Sequence, residues 1–493
     1  MMEHNYRVLI DGNLIDSLTG EKTEVINPSN GRVIAAVPKC GSAEIKQAVA
    51  AARKAAPAWA DTTTAERGRV LKRLAAAIAS RRDELARLET MQYGGPIWKT
   101  TNFDMTFIPE MLDYYAGTAR AMTGMTLPVG PTCTSMTVRE PYGVVGLITP
   151  WNFPLITILA KLAPALVTGN TCVVKPPSCA PLTALILGEI INEIDIPPGV
   201  VNIVTGPGDV AGETLVCHPD VAKIAFTGDS SVGKRIMRLA ADTVKPLFLE
   251  LGGKNAFIVL PDANMDAVIE GAVWSAFYNS GQNCASVGRF LVHEAVYDEF
   301  AEKFVAASRK ITVGNPLDMA TMMGPLTYRG HRDTVEGYIA SAKKSGAKLL
   351  FGGKRLNTAD TREGYFVAPT IFGDCNADMP FMREEIFGPV VGLMRFKTVE
   401  EAIAIANNTR YGLCASIWTE DMRTGLNMSR KLQDGTVWIN QHLSIVFEVP
   451  WGGFKESGFG KENSLLCLEE YTRIKHVWVD LVGNPATPWH DKV

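Results

Sequence analysis

Hydrophobic residues near the start of the chain recur with the spacing of amphipathic helices. Two alanine-rich stretches, Ile45–Ala56 and Ala65–Met91, keep their basic residues on the face opposite the apolar ones, so both are predicted to be helices. From Val144 onward, short β-branched runs alternate with helical segments. This alternation predicts parallel strands joined by crossover helices, the arrangement of an α/β dinucleotide-binding domain. The strands predicted there are Val144–Thr149, Thr171–Lys175, Val200–Val204, Ile224–Thr227 and Leu247–Leu251.

A second α/β region is predicted from Asn255 to about Trp438. Ahead of the first parallel strand, Met125–Glu140 places threonines and valines between prolines, a pattern that suits a protruding hairpin. Hydrophobic residues return at Ile474–Val482, which predicts one more strand. The strands predicted in the second region are Ala256–Leu260, Phe290–His293, Val390–Phe396 and Thr436–Ile439.

The longest apolar run, Val144–Val167, has the length of a membrane span. Pro150, Pro154 and Pro164 interrupt it, and proline inside a helix removes a donor and clashes with the preceding turn. We therefore predict a buried strand, turn and helix, and no membrane partner.

The 49 basic residues against 52 acidic ones leave a formal charge of −3, so no domain-wide basic field for nucleic acid is expected.

The nine cysteines form no CxxC pair and no Cys/His cluster with zinc-like spacing. The seven histidines show no paired ligand spacing, so no metal is expected. Met1–Ile10 is polar over most of its length and lacks the apolar stretch of a secretory signal. These observations predict a cytoplasmic protein with reduced thiols.

Two glycine-containing turns are candidates for phosphate binding. Gly206-Pro-Gly208 follows the predicted strand Val200–Val204, but a proline is awkward in a dinucleotide fingerprint, so a plain turn fits equally well. Phe226-Thr-Gly228 suits the role better, because a strand runs directly into the glycine and a helical run, Lys234–Ala241, begins soon after. Backbone N–H groups at the start of a helix favour an anion. By itself this motif also fits any tight turn.

Cys284 lies in a turn of small residues just after the predicted helix Ala267–Tyr278. Small neighbours leave a thiol accessible, and nearby amides lower its pKa and can hold an oxyanion. This arrangement suits a nucleophile. The alternative is that Cys284 is a small core hydrophobe, which is the more common role of a single cysteine.

Glu250 ends an apolar strand and is flanked by leucines. A carboxyl in such surroundings has a raised pKa, which suits a general base that works near neutral pH. The alternative is a carboxylate paired with a lysine such as Lys245 or Lys254.

Seven segments, taken together, resemble the aldehyde dehydrogenase family, in the family's order and at its approximate spacings. The resemblance extends from about residue 6 to about residue 480. The segments are Pro150-Trp-Asn-Phe-Pro154, Lys175-Pro176, Phe226-Thr-Gly228, Leu249-Glu-Leu-Gly-Gly-Lys254, Gly281-Gln-Asn-Cys284, Glu384-Glu-Ile-Phe-Gly-Pro389 and Gly452-Gly-Phe-Lys-Glu-Ser-Gly458.

The resemblance implies that a small-molecule aldehyde is oxidised to a carboxylic acid with NAD or NADP. Cys284 would attack the carbonyl, and the Asn152 amide and the Cys284 N–H would hold the oxyanion of the thiohemiacetal. Hydride transfer to the nicotinamide would leave a thioester. Glu250 would then activate water to hydrolyse it, and Glu462 would relay the proton outward.

The resemblance also assigns the cofactor site. Lys175 would reach the adenosine ribose, the Gly228–Gly233 turn would lie under the pyrophosphate, and Glu385 and Phe387 would position the nicotinamide ribose and ring. Trp151 would supply a backbone contact. The full set of cofactor residues is Thr149, Trp151, Lys175, Ser178, Gly208, Phe226, Gly228, Asp229, Val232, Gly233, Leu251, Glu385 and Phe387.

Two positions depart from the family pattern. Ser178 stands where members that prefer NAD commonly carry a glutamate that repels a 2′-phosphate, so NAD and NADP both stay open. Asp229 stands where the family usually has a serine against the pyrophosphate. A carboxylate there is repulsive by up to roughly a few kcal/mol. Either Asp229 points toward Lys234 or the pyrophosphate sits differently.

The substrate pocket implied by the resemblance is aromatic and moderately polar. It has no arginine to clamp a carboxylate, which argues against a semialdehyde that carries one, while Glu448 lies near the mouth. Aromatic, aliphatic and aminated aldehydes all stay open. Its walls would be Tyr114, Phe153, Ile156, Thr157, Asn283, Ala285, Phe447 and Trp451.

The implied fold class is α/β, with a Rossmann-type dinucleotide-binding domain over residues 1–122 and 142–253 and a catalytic α/β domain over 254–456. A small β unit, from residues 123–141 and 472–493, would join copies into a homodimer or homotetramer, because exposed strand edges invite pairing. Two rival functions remain: a dehydrogenase that passes the thioester to CoA, against which Glu250 argues, and a non-enzymatic binding protein.

Overall fold

The predicted alternation of strands and helices builds two separate mixed sheets. The computed structural model describes residues 4–483. Within them the strands are, in chain order, β1 (Val8–Ile10), β2 (Asn13–Ile15), β3 (Lys22–Asn27), β4 (Arg32–Pro38), β5 (Thr126–Leu127), β6 (Cys133–Pro141), β7 (Val144–Ile148), β8 (Thr171–Lys175), β9 (Val201–Ile203), β10 (Lys223–Thr227), β11 (Leu247–Glu250), β12 (Asn255–Val259), β13 (Val287–His293), β14 (Lys348–Phe351), β15 (Thr370–Gly373), β16 (Val390–Phe396), β17 (Cys414–Trp418), β18 (Thr436–Ile439), β19 (Gly458–Phe459) and β20 (Thr472–Asp480).

The helices cover both faces of these sheets and form short connections between strands. In chain order they are α1 (Ser42–Ala60), α2 (Thr64–Ser80), α3 (Arg82–Tyr93), α4 (Ile97–Lys99), α5 (Met105–Thr118), α6 (Pro154–Val167), α7 (Leu182–Glu193), α8 (Glu213–Cys217), α9 (Ser230–Ala240), α10 (Met265–Phe277), α11 (Tyr297–Ser308), α12 (Arg329–Lys344), α13 (Pro380–Arg383), α14 (Val399–Asn407), α15 (Met422–Ser429) and α16 (Leu466–Glu470). Two π-helical turns, Thr100–Asp104 and Gly208–Gly212, precede α5 and α8.

The first sheet has the order β19-β11-β10-β7-β8-β9-β1-β2. Its five central strands are parallel, while β19 and the β1–β2 hairpin add antiparallel edges. Every residue of β7 and β8 is buried, because helices cover both faces of a parallel sheet. The predicted strands of this region are therefore confirmed, with ends that shift by a residue.

The direction of strand addition reverses next to β7. The chain passes from β7 to β8 and β9 on one side, then returns to place β10 and β11 on the other. In open α/β sheets, ligands bind beyond the carboxyl ends of strands at such a reversal. The segments that follow β7, β10 and β11 are therefore the expected walls of a binding site.

The second sheet has the order β14-β15-β16-β13-β12-β17-β18, parallel except for β14. The predicted strands Val390–Phe396 and Thr436–Ile439 are confirmed to the residue. The pattern did not predict β17, although it is an interior strand that lies between β12 and the edge strand β18. Its sequence, Cys-Ala-Ser-Ile-Trp, carries little β-branched signal.

A third sheet, β20-β6-β5, confirms the predicted hairpin and final strand. β20 pairs with β6 over nine residues, from Thr472 opposite Pro141 to Asp480 opposite Cys133. Residues 1–3 of the predicted dinucleotide-binding domain and residues 484–493 of the predicted oligomerisation unit lie outside the described part of the chain. The domain boundaries themselves stay predictions.

The prediction of a single helix over Ala65–Met91 was wrong. The chain forms α2 and α3, separated by Arg81, whose φ of −108° and ψ of 20° leave helical geometry. The guanidinium of Arg81 binds the Glu84 carboxylate at 2.8 and 2.9 Å, which stabilises the start of α3. The spacing of apolar residues continues across the break, so the pattern could not reveal it.

The apolar run after Val144 forms β7 and the buried helix α6, as predicted. Within residues 4–483, no helix is both long enough and apolar enough to cross a membrane.

Candidate active site

A cavity of about 790 Å³ lies where the strand order of the first sheet reverses. The segments after β7, β10 and β11 all contribute to its walls, as do the turn before β13 and the loop after β18. All four predicted catalytic residues line this cavity, although they come from four distant segments: Asn152, Glu250, Cys284 and Glu462.

The turn that carries Cys284 has an unusual backbone. Asn279, Ser280 and Gly281 follow one another in the left-handed region, with φ of 54°, 60° and 69°. A Cβ on Gly281 would lie 2.4 Å from the carbonyl oxygen of Gly388, so only glycine fits there. Left-handed non-glycine residues cost about 1–3 kcal/mol each and persist only where their surroundings hold them. The turn is therefore a rigid support for the thiol.

Side-chain amides surround this turn. The Asn152 amide donates to the Gln282 carbonyl at 3.0 Å, and the Asn279 amide donates to that carbonyl and to the Asn152 carbonyl at 3.1 and 3.0 Å. Asn152 thus lies against the turn that precedes Cys284. Within residues 4–483 the Cys284 N–H has no hydrogen-bond acceptor, so it is available to a ligand oxygen.

The pKa of the half-buried Cys284 thiol is raised well above its usual value. Burial is the largest cause, and the carboxylates of Glu250, Glu385 and Glu462 add to it. The backbone amide of Ala285 acts in the opposite direction but is outweighed. An amide of the turn does lower this pKa, as expected, but burial and the carboxylates outweigh it, so a base must remove the thiol proton.

Glu250 is the last residue of β11 and is 2% exposed. Neither of its carboxylate oxygens forms a hydrogen bond of normal geometry within residues 4–483, although the Trp451 side chain approaches closely enough to oppose the rise of its pKa. Its pKa is raised well above the usual value, first by burial and then by the charge of Glu462. A buried carboxylate without well-formed hydrogen bonds is expensive in a purely structural role.

The alternative for Glu250, a structural pair with a neighbouring lysine, is not what the structure contains. Lys245 donates to the carbonyl of His218 at 2.7 Å. Burial lowers the pKa of Lys254 to about 7, and within residues 4–483 no ion pair joins it to Glu250.

Glu462 is held from two sides. Its side chain is ion-paired with Lys161, whose ammonium is fully buried and lies 4.7 Å from the centre of the Phe248 ring. Its backbone exchanges two hydrogen bonds with Trp451, at 2.7 and 2.8 Å. The carboxylate therefore reaches the cavity while it stays tied to a buried lysine.

The residues predicted to bind the nicotinamide end suit that group. The Glu385 carboxylate accepts from the Gly253 N–H at 3.1 Å and lies so close to Gly252 that a Cβ there would meet it at 1.8 Å. Phe387 has a left-handed φ of 57° and makes an edge contact with Trp151 at 5.3 Å. A carboxylate that can accept from ribose hydroxyls, next to two aromatic rings, fits a nicotinamide riboside.

The residues predicted at the other end of the cofactor also suit it. Lys175 is buried, and burial lowers its pKa to about 8. The buried hydroxyl of Thr227, immediately before Gly228, has no hydrogen-bond partner within residues 4–483. A buried ammonium and a free hydroxyl beside the glycine turn fit a dinucleotide with a diphosphate.

Asp229 is the N-cap of α9, which explains why this helix begins at Ser230 and not, as predicted, after Gly233. Its carboxylate accepts from the Ser231 N–H at 2.8 Å and from the Ser231 hydroxyl. Lys234 instead pairs with Glu456 at 2.8 Å, so the first of the two alternatives, Asp229 directed toward Lys234, is not what the structure contains. The carboxylate thus accepts from an amide at the start of the helix, where N–H groups favour an anion.

The remaining predicted residues divide into two groups. Those that line the cavity are Trp151, Gly228, Asp229, Leu251, Glu385, Phe387, Phe153, Ile156, Thr157, Asn283 and Trp451. Those outside its lining are Thr149, Lys175, Ser178, Gly208, Phe226, Val232, Gly233, Tyr114, Ala285 and Phe447. Within the second group Ala285 is fully buried, and Phe447 packs behind the cavity against Phe107 at 4.3 Å.

Sequence reasoning missed several residues of the cavity wall. Trp274 and Tyr278 stand four residues apart at the end of the helix that leads to Cys284, so their shared face was the available signal. Further wall residues that it missed include two in helices, Phe107 in α5 and His331 in α12. Others are Phe103, Asp104, Tyr328, Leu443, Ser444 and Ile445. Within residues 4–483, no cluster of three or more His, Cys, Asp or Glu side chains is arranged to hold a metal ion.

The fold and this cavity define an α/β oxidoreductase whose binding site suits a nicotinamide dinucleotide. A sequence model of the aldehyde dehydrogenase family matches residues 15–477. The chain belongs to the aldehyde dehydrogenase family, as its motifs predicted, and its enzyme class is NAD(P)-dependent aldehyde dehydrogenase.

Relatives resemble the chain over almost its whole length. The chloroplastic betaine aldehyde dehydrogenase of Beta vulgaris is 40% identical over 489 residues, 97% of each chain. Betaine aldehyde dehydrogenase from Staphylococcus aureus, solved in complex with NAD+, is 36% identical with a TM-score of 0.96 over 98% of this chain and 97% of that one. PnpE from Pseudomonas sp. WBC-3 is 39% identical with a TM-score of 0.97 over 99% and 100%.

Proposed function

We propose that this enzyme oxidises its aldehyde through a covalent Cys284 thiohemiacetal and thioester, with Glu250 as the base. The observation that carries the proposal is that Glu250, buried and without a hydrogen bond of normal geometry to either oxygen, lines the same cavity as Cys284. Asn152 lies against the same turn and supports the assignment of an oxyanion site.

In the proposed reaction Glu250 first takes the proton of the Cys284 thiol, whose raised pKa makes a base necessary. The sulfur then bonds to the carbonyl carbon, and the negative oxygen is held by the Asn152 amide and the Cys284 N–H. The bound nicotinamide supplies the hydride acceptor that converts the thiohemiacetal to a thioester. Before hydrolysis Glu250 passes the thiol proton to Glu462, which is tied to Lys161. Glu250 then takes a proton from water, and the hydroxide adds to the thioester carbon. The carbon–sulfur bond breaks, the acid leaves, and the Cys284 thiolate takes the proton back from Glu250.

The cofactor residues are proposed as the resemblance assigns them. Glu385 would accept from ribose hydroxyls, Phe387 would support the nicotinamide, and Lys175 would bind the adenosine ribose. The Ser178 hydroxyl donates to the Gly206 carbonyl at 2.9 Å, which leaves its oxygen free to accept from a ribose hydroxyl. Both NAD and NADP are proposed as cofactors, since nothing at Ser178 repels a 2′-phosphate.

Changing Ser178 to glutamate is expected to remove the use of NADP. A carboxylate against the 2′-phosphate costs several kcal/mol, so kcat/KM with NADP should fall by about 100-fold or more, while kcat/KM with NAD changes by about 5-fold or less. Ser345→Glu, which adds the same charge at the exposed end of α12, is the control. Unchanged discrimination in Ser178→Glu would place the 2′ position elsewhere.

For the substrate, we propose an aldehyde with an uncharged, apolar or aromatic body. Asp104 lines the cavity but forms a buried ion pair with Lys99 at 2.6 Å. The Lys99 ammonium lies 4.2 Å from the centre of the Phe153 ring and 5.6 Å from that of Tyr278. The two aromatic walls thus already face a cation from behind, which weakens their attraction for a second one.

A second candidate is an aldehyde with a quaternary ammonium group, which the similarity to the betaine aldehyde dehydrogenases favours. Two aldehydes of nearly the same shape separate the candidates: 3,3-dimethylbutanal and betaine aldehyde, which differ mainly by a carbon in place of the charged nitrogen. We expect kcat/KM for the neutral aldehyde, followed by absorbance of the reduced cofactor, to be about 10-fold higher, roughly 1.4 kcal/mol of discrimination. A preference for betaine aldehyde would establish the second candidate.

We propose assembly into a homodimer or homotetramer through the third sheet. β20 is an edge strand and exposes Ile474 and Trp478 by 60% and 57%. An apolar strand with an open edge favours pairing with another copy.

Two further points stay predictions. One is the division into a dinucleotide-binding domain, a catalytic domain and this unit, and the other is the cytoplasmic location.

A further inference from the structure

A buried histidine connects the turn of Cys284 to the second sheet. His442, 2% exposed, lies in the loop after β18, and its Nε2 is 2.9 Å from the carbonyl oxygen of Ala285. Its Nδ1 is 3.1 Å from the hydroxyl of Ser416, in the middle of β17. The indole nitrogen of Trp418 lies 3.3 Å from that same hydroxyl. Four groups thus form one hydrogen-bonded chain that ends next to Cys284.

The chemistry of these groups sets the direction of every bond in the chain. A carbonyl oxygen only accepts, so Nε2 must donate to Ala285. Burial lowers the pKa of His442 to about 4, so the ring is neutral near pH 7 and Nδ1 accepts. The Ser416 hydroxyl therefore donates to Nδ1 and accepts from the Trp418 indole, which has only a donor. A single tautomer satisfies all three bonds.

Three consecutive carbonyls of the nucleophile turn are each held by a side chain of the second sheet region. The Asn255 amide donates to the carbonyls of Cys284 and Ser286 at 2.7 and 2.8 Å, and His442 takes the one between them, that of Ala285. The peptide planes that follow Cys284 therefore have no freedom to rotate independently.

The segment that carries His442 is itself rigid and reaches the cavity. Asn440 and Leu443, on either side of it, have left-handed φ of 55° and 64°. The Asn440 side chain accepts from the Thr419 N–H at 2.9 Å and donates to the Thr419 carbonyl at 2.8 Å. Leu443, next to His442, lines the cavity. His442 therefore couples a wall of the substrate cavity to the backbone of the nucleophile.

We propose that His442 is a positioning residue, which holds the Ala285 carbonyl so that the Cys284 backbone keeps its N–H and thiol aligned on one substrate carbonyl. This inference rests on the proposed role of Cys284. His442 is not part of the cavity lining, so it affects the substrate only through the turn that carries Cys284. Loss of the hydrogen bond from Nε2 should misalign the Cys284 N–H, the proposed oxyanion donor, more than it changes the accessibility of the Cys284 thiol.

The matched variants are His442→Asn and His442→Gln. The asparagine amide extends only to the level of Nδ1 and cannot reach Ala285, whereas the glutamine amide carries an N–H near the position of Nε2. We expect kcat at saturating aldehyde and cofactor to fall about 30-fold in His442→Asn, since misplacement of about 1 Å costs up to 10²-fold. His442→Gln should recover to within about 5-fold of the wild type.

Alkylation of Cys284 by iodoacetamide separates positioning from general loosening. Alkylation needs an accessible thiol but no oxyanion donor, whereas addition to an aldehyde needs both. In His442→Asn the alkylation rate, measured by mass spectrometry of the Cys284 peptide, should stay within about 3-fold of the wild type while kcat falls. KM for the cofactor should be unchanged, and His293→Asn, a partly exposed histidine, should leave both rates unchanged.

Two results would overturn the proposal: an equal fall of alkylation and kcat, or full kcat in His442→Asn. If His442→Asn does not fold, Ser416→Ala takes its place, because it removes the partner of Nδ1 and keeps the ring. In Ser416→Ala kcat should fall by about 5- to 10-fold, since a hydrogen bond contributes about 1 kcal/mol, while the alkylation rate stays within about 1.5-fold of the wild type. Equal changes of both rates, or no fall of kcat, would equally overturn the proposal. Aldehyde oxidation by a Cys284→Ala control would instead refute the proposed function.

Discussion

Replacement of Cys284 by alanine is expected to lower aldehyde-dependent reduction of the nicotinamide cofactor by at least about 10⁴-fold, because the covalent route loses its nucleophile. The thiol lines the same cavity as Asn152 and Glu250, and its removal leaves no other cysteine in that lining within residues 4–483. The measurement is the absorbance of reduced cofactor with a panel of aldehydes and with NAD and NADP in parallel.

Cys375→Ala is the matched control for that experiment. Cys375 is a buried thiol in the core of the second sheet, away from the cavity lining, and its loss should change the rate by about 3-fold or less. Thermal unfolding of both variants should show that each folds. Aldehyde oxidation that survives in Cys284→Ala would reject covalent catalysis by this residue. Absence of the reaction in the wild type would mean that the panel lacks the substrate of this enzyme.

Changing Glu250 to glutamine is expected to stop the reaction at the thioester, after the first hydride transfer. The amide keeps the shape of the carboxyl but cannot take a proton from water, so steady-state turnover should fall by about 10³-fold, within the usual range for a general base. Rapid mixing should still reveal about one reduced cofactor per active site, formed more slowly than in the wild type. The slow phase arises because Glu250 is also the proposed acceptor of the thiol proton.

The same residue determines the expected pH profile. Glu250 acts as a base only when deprotonated, and its pKa is raised by burial and by Glu462. Turnover of the wild type should therefore rise with pH toward that raised pKa and be lost as the pH falls. Glu250→Gln should lack this rising limb. Glu213→Gln, a carboxylate paired with Arg235 on the surface, should keep both the rate and the profile.

Full steady-state turnover in Glu250→Gln would contradict the assignment. Product analysis with and without CoA distinguishes the rival in which CoA accepts the acyl group. If acid forms at the same rate without CoA, water is the acceptor. The rival would be favoured if reduction of the cofactor depends on added CoA, acyl-CoA is the product, and its rate of formation is undiminished in Glu250→Gln.

The sequence by itself determined the local elements and the family. Buried parallel strands have sequences rich in β-branched residues, so the bounds of β8, β16 and β18 were predicted to the residue. Seven short motifs identified the family, because each places a particular side chain at the end of a strand or in a turn. That Glu250 ends a strand and Cys284 follows a helix was visible in the same way.

Only the tertiary structure decided how these groups act on one another. The break at Arg81, the cap formed by Asp229 and the Lys99–Asp104 pair depend on contacts that a periodic pattern does not encode. The net direction of the Cys284 pKa was also decided in the tertiary structure, because burial and carboxylates from distant segments outweigh the nearby amide. Periodicity reports which side of an element is buried, but desolvation, pairing and strand order arise only when separate elements meet in space.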